Sequence, residues 1–162
     1  METLARPGGP VDPPSGMFTA RVDEKGRLKL PVDLQEYVKK YGSEQTFITT
    51  LDLRMGSIYP ISVWRENLKL LDSIQDDHEE SAAQLAFLAR EMGGDASLDG
   101  QGRVLLPQTM RTELKLEDTT VRLDVYKDVI RVYSEGVYEE ERQRSRANLA
   151  DKLRALRKQG LK

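Results

Sequence analysis

Ten residues of this chain occur twice, and no other feature restricts its fold as tightly. Val22-Asp-Glu-Lys-Gly-Arg-Leu-Lys-Leu-Pro31 returns as Leu98-Asp-Gly-Gln-Gly-Arg-Val-Leu-Leu-Pro107, with Asp, Gly, Arg, Leu and Pro at matching places. Asp23 therefore corresponds to Asp99, and Arg27 to Arg103. Self-similarity at a fixed offset implies duplication, and hence two similar units facing each other across a pseudo-twofold. Each copy carries an Asp-x-x-x-Arg pair on a turn. The expectation is a paired, basic recognition surface borne on loops.

The residues around each signature read as the same series of elements. In the first copy, Phe18 to Val22 and Arg27 to Leu30 are short strands joined by turn chemistry, with Gly26 able to take positive φ. Pro31 suits the first turn of a helix, Leu34, Tyr37, Val38 and Tyr41 follow at helical spacing, and Gly42 closes it. Thr46 to Leu51 and Gly56 to Tyr59 are rich in β-formers. In the second copy Asp95 to Leu98 and Arg103 to Leu106 are strands about the turn Asp99–Gly102. Pro107 opens a short helix with Met110 and Leu114, and Thr119 to Tyr126 and Val129 to Tyr133 are strands joined around Lys127-Asp128.

Between the copies, Ile61, Trp64, Leu68 and Leu71 mark one helix, and Ala82, Leu85, Leu88 and Met92 a second ended by Gly93-Gly94. Ser134 can cap a helix bearing Val137 and Tyr138. Leu149, Leu153 and Leu156 continue that C-terminal helix with a thin apolar stripe, which favours a partner contact or a frayed end over a core. The expected organisation is a disordered Pro/Gly-rich tail over 1–16, a first repeat over 17–64, a helical connector over 65–95, a second repeat over 96–139 and a basic C-terminal helix over 140–162. Four prolines and three glycines within residues 1–16 disfavour a packed element, and Met17 is the expected start of the folded chain.

Charge is distributed unevenly along the 162 residues. The net charge of −2 argues against wholesale coating of nucleic acid. Yet residues 21–40 sum to +2, residues 66–80 to −5 and residues 139–162 to +4. A basic first repeat, an acidic middle and a basic tail suit a protein with one anion-facing side. No cysteine is present, so disulfides and thiolate metal sites are excluded, in keeping with a reducing cytoplasm. No apolar run approaches the ~18 residues of a membrane span, and the N-terminus lacks the apolar stretch of a signal peptide.

The two ten-residue segments strongly resemble the paired signatures of the MraZ family. Met17-Phe18, the Tyr59-Pro…Trp64 junction and Val132-Tyr133-Ser134 are similar to that family too, so the resemblance runs from about Met17 to about Arg142. It implies an α+β fold of two tandem SpoVT-AbrB repeats, paired within one chain as a swapped-hairpin barrel. It further implies a bacterial transcriptional regulator, assembled as a ring that binds short G-containing direct repeats upstream of the division and cell-wall gene cluster. On this resemblance Asp23 and Arg27 match the first motif, and Asp99 and Arg103 the second. Lys25 sits where the family has a lysine and Gln101 takes that place in the second copy, so the first repeat is the better expected reader of DNA. Thr19-Ala20 stands where the family has Arg-Gly, leaving Arg21 to supply a basic contact. The Pro/Gly tail is a second departure.

The chemistry of the motif agrees. A guanidinium holds a phosphate or the O6/N7 edge of guanine through two parallel hydrogen bonds, and a lysine adds a point charge for phosphate. An aspartate four residues away fixes the arginine in one rotamer beforehand. The plainer structural reading is that each Asp–Arg pair staples its turn; both hold together. Other candidates carry less. His78 within Asp76-Asp77-His78-Glu79-Glu80 reads as a solvated helix start rather than a metal site. Gly100-x-Gly102 never completes a dinucleotide fingerprint, and the serines lack a histidine partner. Trp64 and the tyrosines sit on apolar positions and read as core.

The expected protein is thus a non-enzymatic, homo-oligomeric regulator of the cytoplasm and nucleoid that binds double-stranded DNA. It needs no cofactor, metal or membrane. Arg27, Lys25, Arg103 and Arg21 are its expected DNA contacts, and Asp23 and Asp99 orient them. Two alternatives stand beside it: an antitoxin-like or transition-state regulator of the same fold at other promoters, and a protein-interaction ring module.

Overall fold

The computed structural model describes residues 11–162. Strand β1 (Phe18–Val22) and strand β2 (Arg27–Lys29) flank the first motif turn. Helix α1 (Val32–Lys39), strands β3 (Gln45–Thr49) and β4 (Gly56–Pro60) and helices α2 (Ile61–Ser73) and α3 (Glu79–Met92) complete the first series. The second series is β5 (Gly94–Ser97), β6 (Arg103–Leu105), α4 (Gln108–Leu114), β7 (Thr119–Tyr126), β8 (Val129–Tyr133), α5 (Glu135–Arg146) and α6 (Leu149–Arg157). One order, two strands, helix, two strands, two helices, is therefore written twice.

Local chemistry sets the boundaries. Pro31, Pro60 and Pro107 each stand just before a helix with extended backbone, one residue earlier than an N1 proline, and the Pro31 carbonyl accepts from Leu34 N and Gln35 N. Gly42, at φ +88°, ends the turn after α1. Ser134 Oγ accepts from Val137 N at 3.2 Å and caps α5 as expected. The two β-hairpins within the repeats differ. Lys127 and Asp128 form a two-residue turn at φ +49° and +71°, the primed geometry that matches strand twist. The β3–β4 connection is longer because Asp52 Oδ1 accepts from Arg54 N and Met55 N and Thr50 Oγ1 accepts from Leu53 N. That loop ends β3 at Thr49 rather than Leu51.

The eight strands among the described residues form one antiparallel sheet in the order β5-β3-β4-β8-β7-β1-β2-β6, and β5 lies against β6 so that the sheet nearly closes on itself. The fold is α+β, with the two repeats intertwined in one barrel. The hairpin β1–β2 makes no pairing with its own repeat: β1 pairs with β7 and β2 with β6. Strand β5 likewise pairs with β3. The register exposes the pseudo-twofold. Leu28 faces Val104, its own counterpart, while Arg27 faces Leu105 and Lys29 faces Arg103. A second crossing lies at Ser57 opposite Arg131, between β4 and β8.

One core joins strands and helices: Val22, Leu28, Ile48, Ile58, Leu123 and Ile130 from the barrel strands, Leu34 and Met110 from α1 and α4, and Leu30 and Leu106 from the segments between are all buried in it. A smaller cluster has Trp64 stacked on Phe47 at 4.6 Å and tilted against Tyr59 at 4.9 Å, so Trp64 and Tyr59 are core as expected, whereas Tyr126 is exposed. The Tyr37 and Tyr41 hydroxyls meet at 3.2 Å, and burial pushes both phenols up. Asp124 accepts two hydrogen bonds from Arg131, at 2.9 and 2.7 Å, and one from Tyr133 Oη at 3.0 Å, which pins the β7–β8 hairpin.

Two expectations are modified. The tail expected over 1–16 falls largely on residues 1–10, outside the described residues; over 11–16 there is no helix or strand, yet Val11 is buried against the main core. The C-terminal helix is two helices, because Ala147 is extended and Asn148 takes φ +54° between α5 and α6. No helix among the described residues is long and apolar enough to cross a membrane.

Candidate nucleic-acid interface

Each motif turn is held by its own aspartate. Asp23 Oδ1 accepts from Lys25 N at 3.0 Å and Arg27 N at 2.9 Å, and Oδ2 from Arg27 Nε at 2.8 Å. Asp99 repeats the set with Gln101 N at 2.8 Å, Arg103 N at 2.9 Å and Arg103 Nε at 2.8 Å. Gly26 and Gly102 close the turns at φ +86° and +75°. Amide donors at the charged form hold both carboxyls below their ordinary value. The backbone N–H of Arg103 contributes most in lowering Asp99 to about 2, and that of Arg27 most in lowering Asp23. Each aspartate ties its arginine to the turn through Nε, and among the described residues the terminal nitrogens of Arg27 and Arg103 have no hydrogen-bond partner.

The β2–β6 pair turns these parts into one surface. Leu28 and Val104 point into the core, so Arg27, Lys29, Arg103 and Leu105 share the outer face of a two-stranded ribbon. Lys25 is exposed at the first turn, and Lys29 donates through Nζ to the Gln101 carbonyl at the second. Lys29 therefore brings a cation to the turn that lacks the companion lysine. Arg21 is not gathered here; it is exposed on β1 and paired with Asp118 Oδ1 at 2.6 Å.

Helices of each repeat lean on the turn of the other. Arg111 on α4 donates to the Leu106 carbonyl at 2.6 Å, and its guanidinium occupies the space that a Cβ on Gly26 would need. Gln35 on α1 does the same for the second turn, donating to the Leu30 carbonyl at 2.7 Å and covering Gly102. The backbone couples the turns as well, since Leu30 N donates to Gly102 O and Leu106 N to Gly26 O. Lys29, Arg111 and Gln35 escape a reading of single motifs. Gln35 and Arg111 each stand eight residues after their motif arginine, a signal visible only when the two copies are aligned. The result is an asymmetry: Lys25 and Arg111 serve the first turn where Gln101 and Gln35 serve the second.

The remaining candidates are elsewhere. Asp76, Asp77 and His78 approach one another but are fully on the surface. Of the acidic segment, Glu66 and Asp72 lie on α2, Glu79 and Glu80 on α3, and Asp76 and Asp77 in the connection between them, all outside the strands of the ribbon.

A family model described as "MraZ protein, putative antitoxin-like" matches residues 95–159, which span the second repeat and both C-terminal helices. The transcriptional regulator MraZ of Acidobacterium capsulatum is 37% identical over 108 residues, covering 65% of this chain and 72% of that protein. That of Roseiflexus castenholzii is 33% identical over 106 residues, 65% and 71% of the two chains. That of Syntrophotalea carbinolica is 26% identical over 148 residues, 90% of this chain and 97% of the relative.

Proposed function

The chain belongs to the MraZ family, and on that premise we propose that it is a sequence-specific regulator of transcription that reads double-stranded promoter DNA with the β2–β6 ribbon and its two turns. The observation that carries this reading is the pair of arginines at the ends of one ribbon, each fixed by an aspartate through Nε. A two-stranded ribbon fits a major groove about 12 Å wide, and the free terminal nitrogens form the fork that matches guanine O6/N7 or a phosphate. Lys25 and Lys29 supply point charges to the backbone, and Arg21 a peripheral one. Asp23 and Asp99 orient the arginines. The work is binding, with no catalytic step and no cofactor.

Short repeats read in series call for several copies in a closed arrangement, so the protein acts as a ring-like homo-oligomer. Its targets are the G-containing direct repeats upstream of the division and cell-wall genes, in the cytoplasm at the nucleoid. The antitoxin-like wording of the matched family model favours a second reading, in which the same fold serves a toxin-linked promoter.

Binding to the chain's own upstream DNA tests this. Arg27→Ala removes an interaction worth about 1–3 kcal/mol per subunit, multiplied across a ring by avidity. Lys25→Ala weakens binding to all sequences alike and flattens the salt dependence by about 0.9 for each phosphate it no longer neutralises. Arg103→Ala does less, because its turn lacks Lys25's counterpart. Each variant must keep the wild-type melting temperature and oligomer size. If Arg27→Ala stays folded and binds as tightly as wild type, the motif is a staple only. Preference for a toxin-linked promoter over the division-cluster promoter would favour the second reading.

A further inference from the structure

The seventh element of each repeat is a helix, but the two are used differently. Helix α3 buries Ala82, Ala89 and Met92, whereas α6 buries no residue at all. Leu149, Leu153 and Leu156 stand on one stripe of α6 at i, i+4 and i+7, and each is between 39% and 52% exposed. Lys152 and Arg157 flank that stripe on opposite sides, and among the described residues neither forms an ion pair.

A surface with the opposite character lies on α3. Its side away from Ala82 and Ala89 carries Glu80, Gln84, Phe87 and Glu91 at i, i+4, i+7 and i+11, all exposed. Phe87 is 62% exposed, and neither glutamate has an ion-pair partner among the described residues. At 1.5 Å rise per residue the leucine stripe is about 10 Å long and the glutamates stand about 16 Å apart, so the stripe fits between them. Within one chain α6 is not packed on α3.

We propose that α6 of one chain docks, leucines inward, on the Phe87 stripe of α3 in a second copy of this chain, with Lys152 and Arg157 facing the glutamates. The two faces are different parts of one chain, so the contact is head-to-tail and closes a ring when the rotation permits. This rests on the oligomer part of the proposed function and names its interface.

Light scattering on the full chain at micromolar concentration decides it, against a chain mass of 18.4 kDa. Leu153→Glu and Phe87→Glu change exposed residues only, so each should keep the wild-type circular dichroism and fall to the mass of one chain, and the two altered faces place like charges against each other. Mixed in equal amounts, they should give a species of twice that mass and no larger. The first variant still offers α3 and the second still offers α6, which leaves one live interface. A wild-type monomer would overturn both the ring and this interface. An oligomeric wild type whose Phe87→Glu variant stays assembled, or a mixture that stays monomeric, would overturn the interface alone.

Discussion

If Arg111 clasps the first motif turn across the repeat boundary, Gly26→Ala and Arg111→Ala must be energetically coupled. At φ +86° an alanine at position 26 costs about 1–2 kcal/mol of backbone strain. Its Cβ also displaces the guanidinium, which takes with it the 2.6 Å hydrogen bond to the Leu106 carbonyl, worth about 1 kcal/mol at a half-buried site. Gly26→Ala should therefore destabilise by about 2–3 kcal/mol, a fall in melting temperature of about 4–12 °C for a chain this size. Arg111→Ala alone should cost about 1–2 kcal/mol. In the double variant the obstruction is gone and the hydrogen bond is removed only once, so the sum falls short of additivity by about 1 kcal/mol. Equilibrium urea unfolding of the four proteins at one chain concentration measures the cycle. Additivity within about 0.3 kcal/mol would mean that helix and turn do not support each other.

Three further outcomes are expected. Because Asp99 is held at about 2 in the folded chain against an ordinary 3.8, its contribution to stability is full above pH 4 and lost as pH falls through about 2. Carboxyl-carbon NMR should place its midpoint near 2, and an ordinary midpoint would contradict the amide-held turn. Asp124→Ala strands Arg131 and the Tyr133 hydroxyl and should cost about 2–3 kcal/mol, whereas Tyr133→Phe should cost about 1 kcal/mol; equal melting temperatures would count against the pinned hairpin. Residues 17–92 expressed alone leave β1 and β2 without the β7 and β6 they pair with, so this fragment should be unfolded or self-associated; a well-dispersed monomer spectrum would refute the interleaving.

Elements are legible in the sequence because periods of 2 and 3.6 are local properties. The strand at Phe18–Val22 and the hairpin at Lys127-Asp128 follow from a few residues each, and the Ser134 cap from one. Partnership is another matter. That β1 pairs with β7 and not with β3 depends on residues about a hundred positions apart, which no local pattern encodes, and the family resemblance alone supplies the swapped hairpin. The motif arginines are visible because they recur, and the position of Arg111 emerges only when the two copies are aligned, while Lys29 carries no such signal, since only the sheet register brings it to the second turn. Asn148 breaks a stripe that looks continuous because leucine spacing survives a kink that one left-handed residue creates.

The crossing at Leu28 and Val104 has a consequence of its own. Two identical chains meeting at such an axis would present turns that are copies of each other, and any substitution would appear on both. Joined in a single chain, the halves are free to differ, and here they do: Lys25 and Arg111 attend one turn, while Gln101, Gln35 and the incoming Lys29 attend the other. The ribbon keeps a symmetric backbone but has acquired polarity, a distinct leading and trailing end. Copies set side by side by a head-to-tail contact would all point the same way around the circle.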